Sequence, residues 1–270
     1  MIRFAMLGLG ALLVAGCVPA ALSQLEAVDT EIVTCATHPD GGCTFDQSPL
    51  RVLPEPVTIP KRPYQFFPTA EPLTFIDPNG RQWIAPRRTL TDGASIPPIF
   101  VSIVGDPTDP SFINAAAVHD AYCGIGNETG ARYHDGTWQD VHKMFFDGLI
   151  TGGTEEVTAK LMFAAVWLGG PRWQTTRGLN HVPAPRMQKA MRQTKSFVES
   201  SNPPFGALLR YLGAQERQIL SEYPAPGLAR DDDAMSSSSE GSFDEGEYFG
   251  EGYFGGFGSF GSGGFGSGDF

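Results

Sequence analysis

The chain lacks the short motifs that usually mark a nucleotide cofactor or a DNA-binding module. It has no Walker loop, no dinucleotide-binding fingerprint and no zinc-finger spacing. The formal net charge is −11, which argues against nucleic acid as a partner. The tail at 231–270 holds nine acidic residues and no basic one, and so supplies −9 of that charge. The remainder is close to neutral.

A long apolar run is also missing, because no stretch of about 18 apolar residues follows the amino terminus. The first residues carry one positive charge, a short apolar run spans 4–15, and Val14-Ala15-Gly16-Cys17 resembles the lipobox of bacterial lipoproteins. This resemblance implies that residues 1–16 are a signal peptide and that acylated Cys17 anchors the protein in a lipid bilayer. Val18 in place of an aspartate implies sorting to the outer membrane, on its periplasmic side.

Cysteines are few, with four in 270 residues. Cys35 and Cys43 enclose a loop with proline and glycine, and we predict a disulfide there that stabilises the fold by roughly 2.5 kcal/mol. This loop lies in a segment, 17–55, that we interpret as a tether. Cys123 has no partner and is interpreted as a small buried hydrophobic residue, although a role as a metal ligand beside His119 is conceivable.

Length and composition predict one globular domain at 56–230, followed by a disordered acidic tail at 231–270. A β-hairpin is expected over 73–84, around the turn at 77–80. Several amphipathic helices follow, so the fold class is mainly α with a small β element. Two C-terminal helices at about 183–223 carry a basic side. That side either lies on anionic lipid or peptidoglycan, or is the solvated face of helices that pack on the core.

Two histidines are the strongest chemical signal. His119 and His142 each fall in the apolar stripe of a predicted helix, and a turn-rich connection separates the two helices. An antiparallel helical hairpin would therefore bring the two imidazoles together, packed with the β-hairpin. Because a buried imidazole needs a polar partner, each is expected to contact the other or the carboxylates of Asp92 or Asp120. Ser95 is a weaker candidate, since nothing like a nucleophile elbow surrounds it.

Three motifs occur in order along the chain: Asp-Gly-Ala-Ser-Ile-Pro from Asp92, Ala-Val-His-Asp-Ala-Tyr around His119, and Asp-Val-His-Lys-Met-Phe-Phe-Asp around His142. Together they resemble a bacterial and phage family known as domain of unknown function 1353, over roughly 60–175. Many family members have Asp where this chain has His142. The resemblance implies no reaction.

Three interpretations of the site remain open. The helix carrying His119 and Asp120 is similar to that of secreted phospholipases A2, which implies His119 as general base, Asp120 as calcium ligand and His142 as the orienting group. Alternatively His119, His142 and Asp120 or Asp92 hold a catalytic zinc ion. Both predict a hydrolase acting on an envelope component, phospholipid or peptidoglycan. In the third, the histidines are structural residues of a non-catalytic envelope or assembly module.

Overall fold

The computed structural model describes residues 32–38, 42–60, 62, 65–93, 96–104 and 110–225. Within these ranges the protein has six α-helices and two small antiparallel sheets of three strands each. The prediction of a mainly α fold with a small β element is confirmed.

The strands are short and all come before the helices. Their bounds are β1 Thr44–Phe45, β2 Val57–Thr58, β3 Gln65–Pro68, β4 Leu73–Ile76, β5 Gln82–Ala85 and β6 Leu90–Thr91. One sheet has the order β1-β4-β5 and the other β2-β3-β6.

The helices fill the rest of the described chain. Their bounds are α1 Val101–Val104, α2 Ile113–Cys123, α3 Trp138–Thr151, α4 Glu156–Gly169, α5 Ala184–Ser201 and α6 Phe205–Glu222. Short 3-10 turns at Pro98–Phe100 and Pro110–Phe112 lead into α1 and α2. The last two helices lie where the amphipathic pattern predicted them.

Strands β4 and β5 form the predicted hairpin, with Leu73 opposite Ala85 and Ile76 opposite Gln82. Asp77 organises the turn, because one of its carboxylate oxygens accepts hydrogen bonds from the backbone amides of Asn79 and Arg81. The other oxygen accepts from the Trp83 indole at 3.0 Å. The hairpin is therefore closed by a side chain as well as by its ladder.

Helices α2 and α3 form an antiparallel hairpin. Ala115, early in α2, lies against Gly148, late in α3, whereas His119, further along α2, meets His142, near the start of α3. Thr137 caps α3 by accepting from the Asp140 amide at 3.1 Å. Gly148 permits the close approach, since a Cβ there would lie 3.0 Å from that of Ala115.

The β4–β5 hairpin packs on α2. The Tyr122 hydroxyl accepts a hydrogen bond from the Ile84 amide of β5 at 3.2 Å, and the Tyr122 ring lies edge-on to Trp83, with ring centroids 5.2 Å apart. A backbone amide that is shielded from water needs a hydrogen-bond acceptor, and the Tyr122 hydroxyl provides one for Ile84. Tyr122 therefore joins the sheet to the helical hairpin.

Helix α4 is the centre of the helical core, and α3, α5 and α6 all pack against it. Lys160 of α4 is 1% exposed, and its ammonium group contacts the Glu156 carboxylate and the Asn202 side-chain oxygen, each at 2.6 Å. Asn202 ends α5 in a left-handed conformation with φ 38°. This buried lysine thus ties the end of α5 to α4.

The described part of the segment that was predicted to be a tether, 17–55, packs on the rest of the domain. The structure contains a Cys35–Cys43 disulfide, and the Cys35 amide donates to the buried Asp147 carboxylate of α3 at 2.7 Å. Strand β1 pairs with β4. Leu50 is buried, with its amide bonded to the Asn114 side chain. This segment shows little secondary-structure pattern in its sequence, and contacts with distant parts of the chain hold it: it completes a sheet and covers the α2–α3 hairpin.

Three other predictions fall on residues outside the described ranges. They are the signal peptide at 1–16, acylated Cys17 and the acidic tail at 231–270. Ser95 lies outside them as well. Among the helices of the described residues, none is long and apolar enough to cross a membrane.

Candidate metal centre

The two predicted histidines meet at the middle of the α2–α3 hairpin. His119 Nε2 lies 3.0 Å from His142 Nδ1, and the ring centroids are 5.2 Å apart. Only 2% of His119 and none of His142 is exposed to solvent. Helical periodicity therefore identified both the pair and its burial.

Cys123 joins this pair. It follows His119 by one helical turn, which places both side chains on the same face of α2, and its sulfur lies 3.4 Å from His119 Nε2. One ligand atom from each of these three residues lies within 4.8 Å of the other two. No other such group of three occurs among the residues that the structure describes.

Burial keeps all three groups neutral in the absence of a metal. Desolvation lowers the pKa of His119 from 6.5 to about 3, and it lowers the pKa of His142 as well, with further lowering by His119 and Arg172. The pKa of Cys123 is raised well above its usual range, first by desolvation and then by the charge of Asp120. A cation in the middle would bind the imidazoles in the neutral form that burial already favours, and would reverse the preference only at Cys123, because the thiolate is the form of cysteine that binds metals.

The hydrogen bond between the imidazoles leaves one nitrogen poorly satisfied. Each neutral ring carries one proton, and one proton lies between His119 Nε2 and His142 Nδ1. Whichever ring donates it, the buried Nε2 of His142 has no hydrogen bond of good geometry among the described residues. The backbone of Pro171 lies close enough to raise the pKa of His142. If a metal took the place of the shared proton, this Nε2–H could donate towards that backbone, an arrangement common behind metal-bound histidines.

The carboxylates predicted for the site are not in the cluster. Asp120 is buried at 6% exposure and Asp92 lies at the surface, but neither carboxylate belongs to the group within 4.8 Å. Asp120 is adjacent to His119, and adjacent helical residues diverge by about 100°. Asp92 follows β6, where neighbouring groups desolvate its carboxyl and raise its pKa, against the lowering effects of a backbone hydrogen bond and of the charge of Arg62. The prediction of Asp120 as a third ligand is therefore replaced by Cys123.

Arg172, Trp138 and Trp173 lie around His142. The Arg172 guanidinium lies over the Trp138 ring at 4.4 Å and forms an ion pair with Glu216 of α6 at 3.3 Å. Trp138, in turn, lies edge-on to His142, with ring centroids 5.6 Å apart. The guanidinium favours the uncharged form of His142. The sequence did not indicate this residue, since nothing in the pattern of Gly-Pro-Arg-Trp after α4 distinguishes a buried arginine.

The imidazoles are closed off from solvent, since 2% of His119 and none of His142 is exposed. Two surface cavities are lined by other residues, one between the β4–β5 turn and α3 and the other beside the loop at 86–89. The centre is therefore closed in this conformation.

The segment that carries this centre matches a known family. Residues 67–166 match the family model "Protein of unknown function (DUF1353)". This confirms the resemblance seen in the sequence over most of its predicted extent. It assigns no reaction.

Two similar proteins come from Sinorhizobium fredii (strain NBRC 101917 / NGR234). "Uncharacterized protein y4iH" is 41% identical over 99 residues, which is 37% of this chain and 38% of that protein. "Uncharacterized protein y4jT" is 38% identical over 111 residues, or 41% of this chain and 31% of that protein. The match thus spans less than two-fifths of either relative. No solved structure matches.

Proposed function

We propose that this protein is a lipid-anchored envelope protein whose domain binds a transition-metal ion of the zinc class through His119, Cys123 and His142. The observation that carries the proposal is the convergence of two ring nitrogens and one sulfur within 4.8 Å in a fully buried site. Attachment through Cys17 rests on the lipobox-like Val14-Ala15-Gly16-Cys17.

The donor set selects the kind of metal. Calcium takes six to eight oxygen ligands, and none of the three groups offers an oxygen. Imidazole nitrogen and thiolate sulfur are the ligands that zinc prefers. This argues against the calcium chemistry implied by the phospholipase likeness and supports zinc.

The closed position favours a role in holding the domain together. A metal bound here would join α2 to α3, the two helices on which the β4–β5 hairpin and the disulfide segment pack. Metal binding would then be coupled to folding, as in other buried sites. In this role the domain is a stable envelope module that presents its surface to a partner.

A hydrolase is the second candidate, and the ligand count favours it. Three protein ligands leave one position of a tetrahedral zinc ion for water, which is the pattern of catalytic sites. Asp120 lies close enough to raise the pKa of Cys123 and would be the base that accepts a proton from that water. The substrate would be an envelope component, phospholipid or peptidoglycan, and the site would have to open to admit it.

Metal analysis of the purified protein tests the first proposal. We expect one zinc per chain, and a cobalt-substituted form with a thiolate-to-cobalt charge-transfer band. Cys123→Ser should abolish the band and weaken metal binding, whereas His181→Gln should change neither. His181 is a suitable control because it bonds to the Tyr223 carbonyl, away from the centre. A protein that binds no metal, or a band that survives Cys123→Ser, would refute the proposal.

The two roles differ in the water ligand. If the metal is catalytic, small anions should perturb the cobalt spectrum, and Asp120→Asn should abolish turnover of phospholipid or peptidoglycan substrates without releasing the metal. If the metal is structural, the spectrum should be insensitive to added anions and metal removal should lower the melting temperature.

A further inference from the structure

The loop between β5 and β6 and the loop between α2 and α3 enclose a small basic cavity. Its volume is about 150 Å³, and its lining includes three arginines, Arg87, Arg88 and Arg132. Pockets for whole drug-sized ligands usually measure about 300 Å³ or more. The cavity therefore suits a single charged group.

The charges in the cavity are not balanced by protein carboxylates. Arg132 forms an ion pair with Asp135 at 3.1 Å, whereas Arg87 and Arg88 form no ion pair with any residue that the structure describes. The three lining arginines less the Asp135 carboxylate leave two positive charges, and Arg87 already donates from Nε to the Ala70 carbonyl at 2.8 Å. This excess matches a phosphate group, which carries about −1.5 to −2 at neutral pH, better than a single carboxylate.

Arg88 has an unfavourable backbone conformation, which hydrogen bonds in the turn maintain. Its φ is 70°, in the left-handed region that glycine or asparagine normally occupies at such a turn. The turn is braced, because Thr89 N and both the Thr69 and Thr89 hydroxyls bond to the Pro86 carbonyl. An arginine kept at a glycine-like position points to a function for its side chain.

The wall of the cavity that faces the loop at 86–89 is fixed by the side chain of Asn127. The Asn127 side chain accepts from the Leu90 amide at 2.9 Å and donates to the Leu90 carbonyl at 2.9 Å. It also donates to the Asp120 carbonyl at the end of α2 at 3.0 Å. One buried amide thus joins β6, α2 and the loop that carries Arg132. The arginines are presented on a preorganised frame, which reduces the entropy lost on binding.

We propose that this cavity binds a phosphate group through Arg87, Arg88 and Arg132. Guanidinium groups suit phosphate because they donate paired, charge-assisted hydrogen bonds. The phosphate could belong to a soluble phosphoester or to a phospholipid headgroup. The proposal does not depend on the metal centre.

The test uses the full chain carrying Cys17→Ser, so that acylation does not itself cause membrane binding. Inorganic phosphate is titrated while backbone amide resonances are followed by NMR. We expect saturable shifts at 86–89 and 127–132, and a weaker effect of acetate. Arg88→Asn should weaken phosphate binding about tenfold or more, without lowering the melting temperature, because asparagine tolerates positive φ better. Arg192→Gln, an exposed arginine of α5, is the control for loss of one charge.

The source of the phosphate is distinguished with vesicles. If sedimentation with phosphatidylglycerol vesicles depends on Arg88, the ligand is a lipid headgroup. If inorganic phosphate binds through Arg88 and vesicles do not, the ligand is a soluble phosphoester. The proposal is overturned if phosphate gives no saturable shifts, if acetate binds as well as phosphate, or if Arg88→Asn and Arg192→Gln have equal effects.

Discussion

The stability of the metal-free protein should fall steeply as the pH drops below 6.5, because His119 and His142 are buried as neutral rings. The pKa of His119 is about 3 in the folded protein and about 6.5 in the unfolded chain. Between these values the unfolded chain binds a proton that the folded protein cannot. The contribution of the neutral His119 ring to the free energy of unfolding is therefore fully present above pH 6.5 and is lost progressively as the pH falls towards 3.

The magnitude follows from the size of the shift. Each histidine contributes about 1.4 kcal/mol per pH unit below 6.5, so His119 alone should cost roughly 2 kcal/mol at pH 5. The pKa of His142 is shifted in the same direction, so its ring adds to this loss. Raised carboxyl pKa values, such as that of Asp147, act in the opposite direction, and a variant is needed to isolate the imidazoles.

Urea unfolding of chelator-treated protein at pH 7, 6 and 5 provides the assay. His119→Gln does not titrate at this position, so it should lose about 2 kcal/mol less than the parent between pH 7 and 5. Phe163→Leu, in the core of α4, should lower stability at every pH and keep the parent's pH dependence. Equal pH dependence in the parent and in His119→Gln would refute the assignment of His119 as a buried neutral ring.

Three further predictions concern other parts of the chain. Cys17→Ser should release the protein from membranes, and continued fractionation with the outer membrane would contradict the lipid anchor. Truncation before Asp231 should shift the melting temperature by no more than about one or two degrees, and a large drop measured by calorimetry would place the tail in the folded domain. Asp147→Asn should cost roughly 1 to 3 kcal/mol of unfolding free energy, because the carboxylate accepts from the Cys35 amide and from Lys143. An unchanged urea midpoint would show that the disulfide segment is held by other contacts.

Some features of the site could be predicted because they depend on local periodicity. The spacing of apolar residues fixes which face of a helix is buried, and this placed His119 and His142 in facing stripes before any contact was known. The same spacing puts Cys123 one turn after His119, so its place in the cluster could have been expected from the sequence. It was interpreted as a buried hydrophobic residue because an isolated cysteine on an apolar face usually is one.

The sequence by itself determined the helices, the β4–β5 hairpin and the pairing of the two imidazoles, since helical period, turn residues and caps act over a few positions. The tertiary structure alone decided the rest. It excluded Asp92 and Asp120 from the cluster, buried Arg172 over Trp138, drew 32–38 and 42–55 into the domain, and set Arg88 opposite Arg132. These outcomes depend on contacts between segments far apart in the chain, whose free energy is gained only when the core assembles and removes both partners from water.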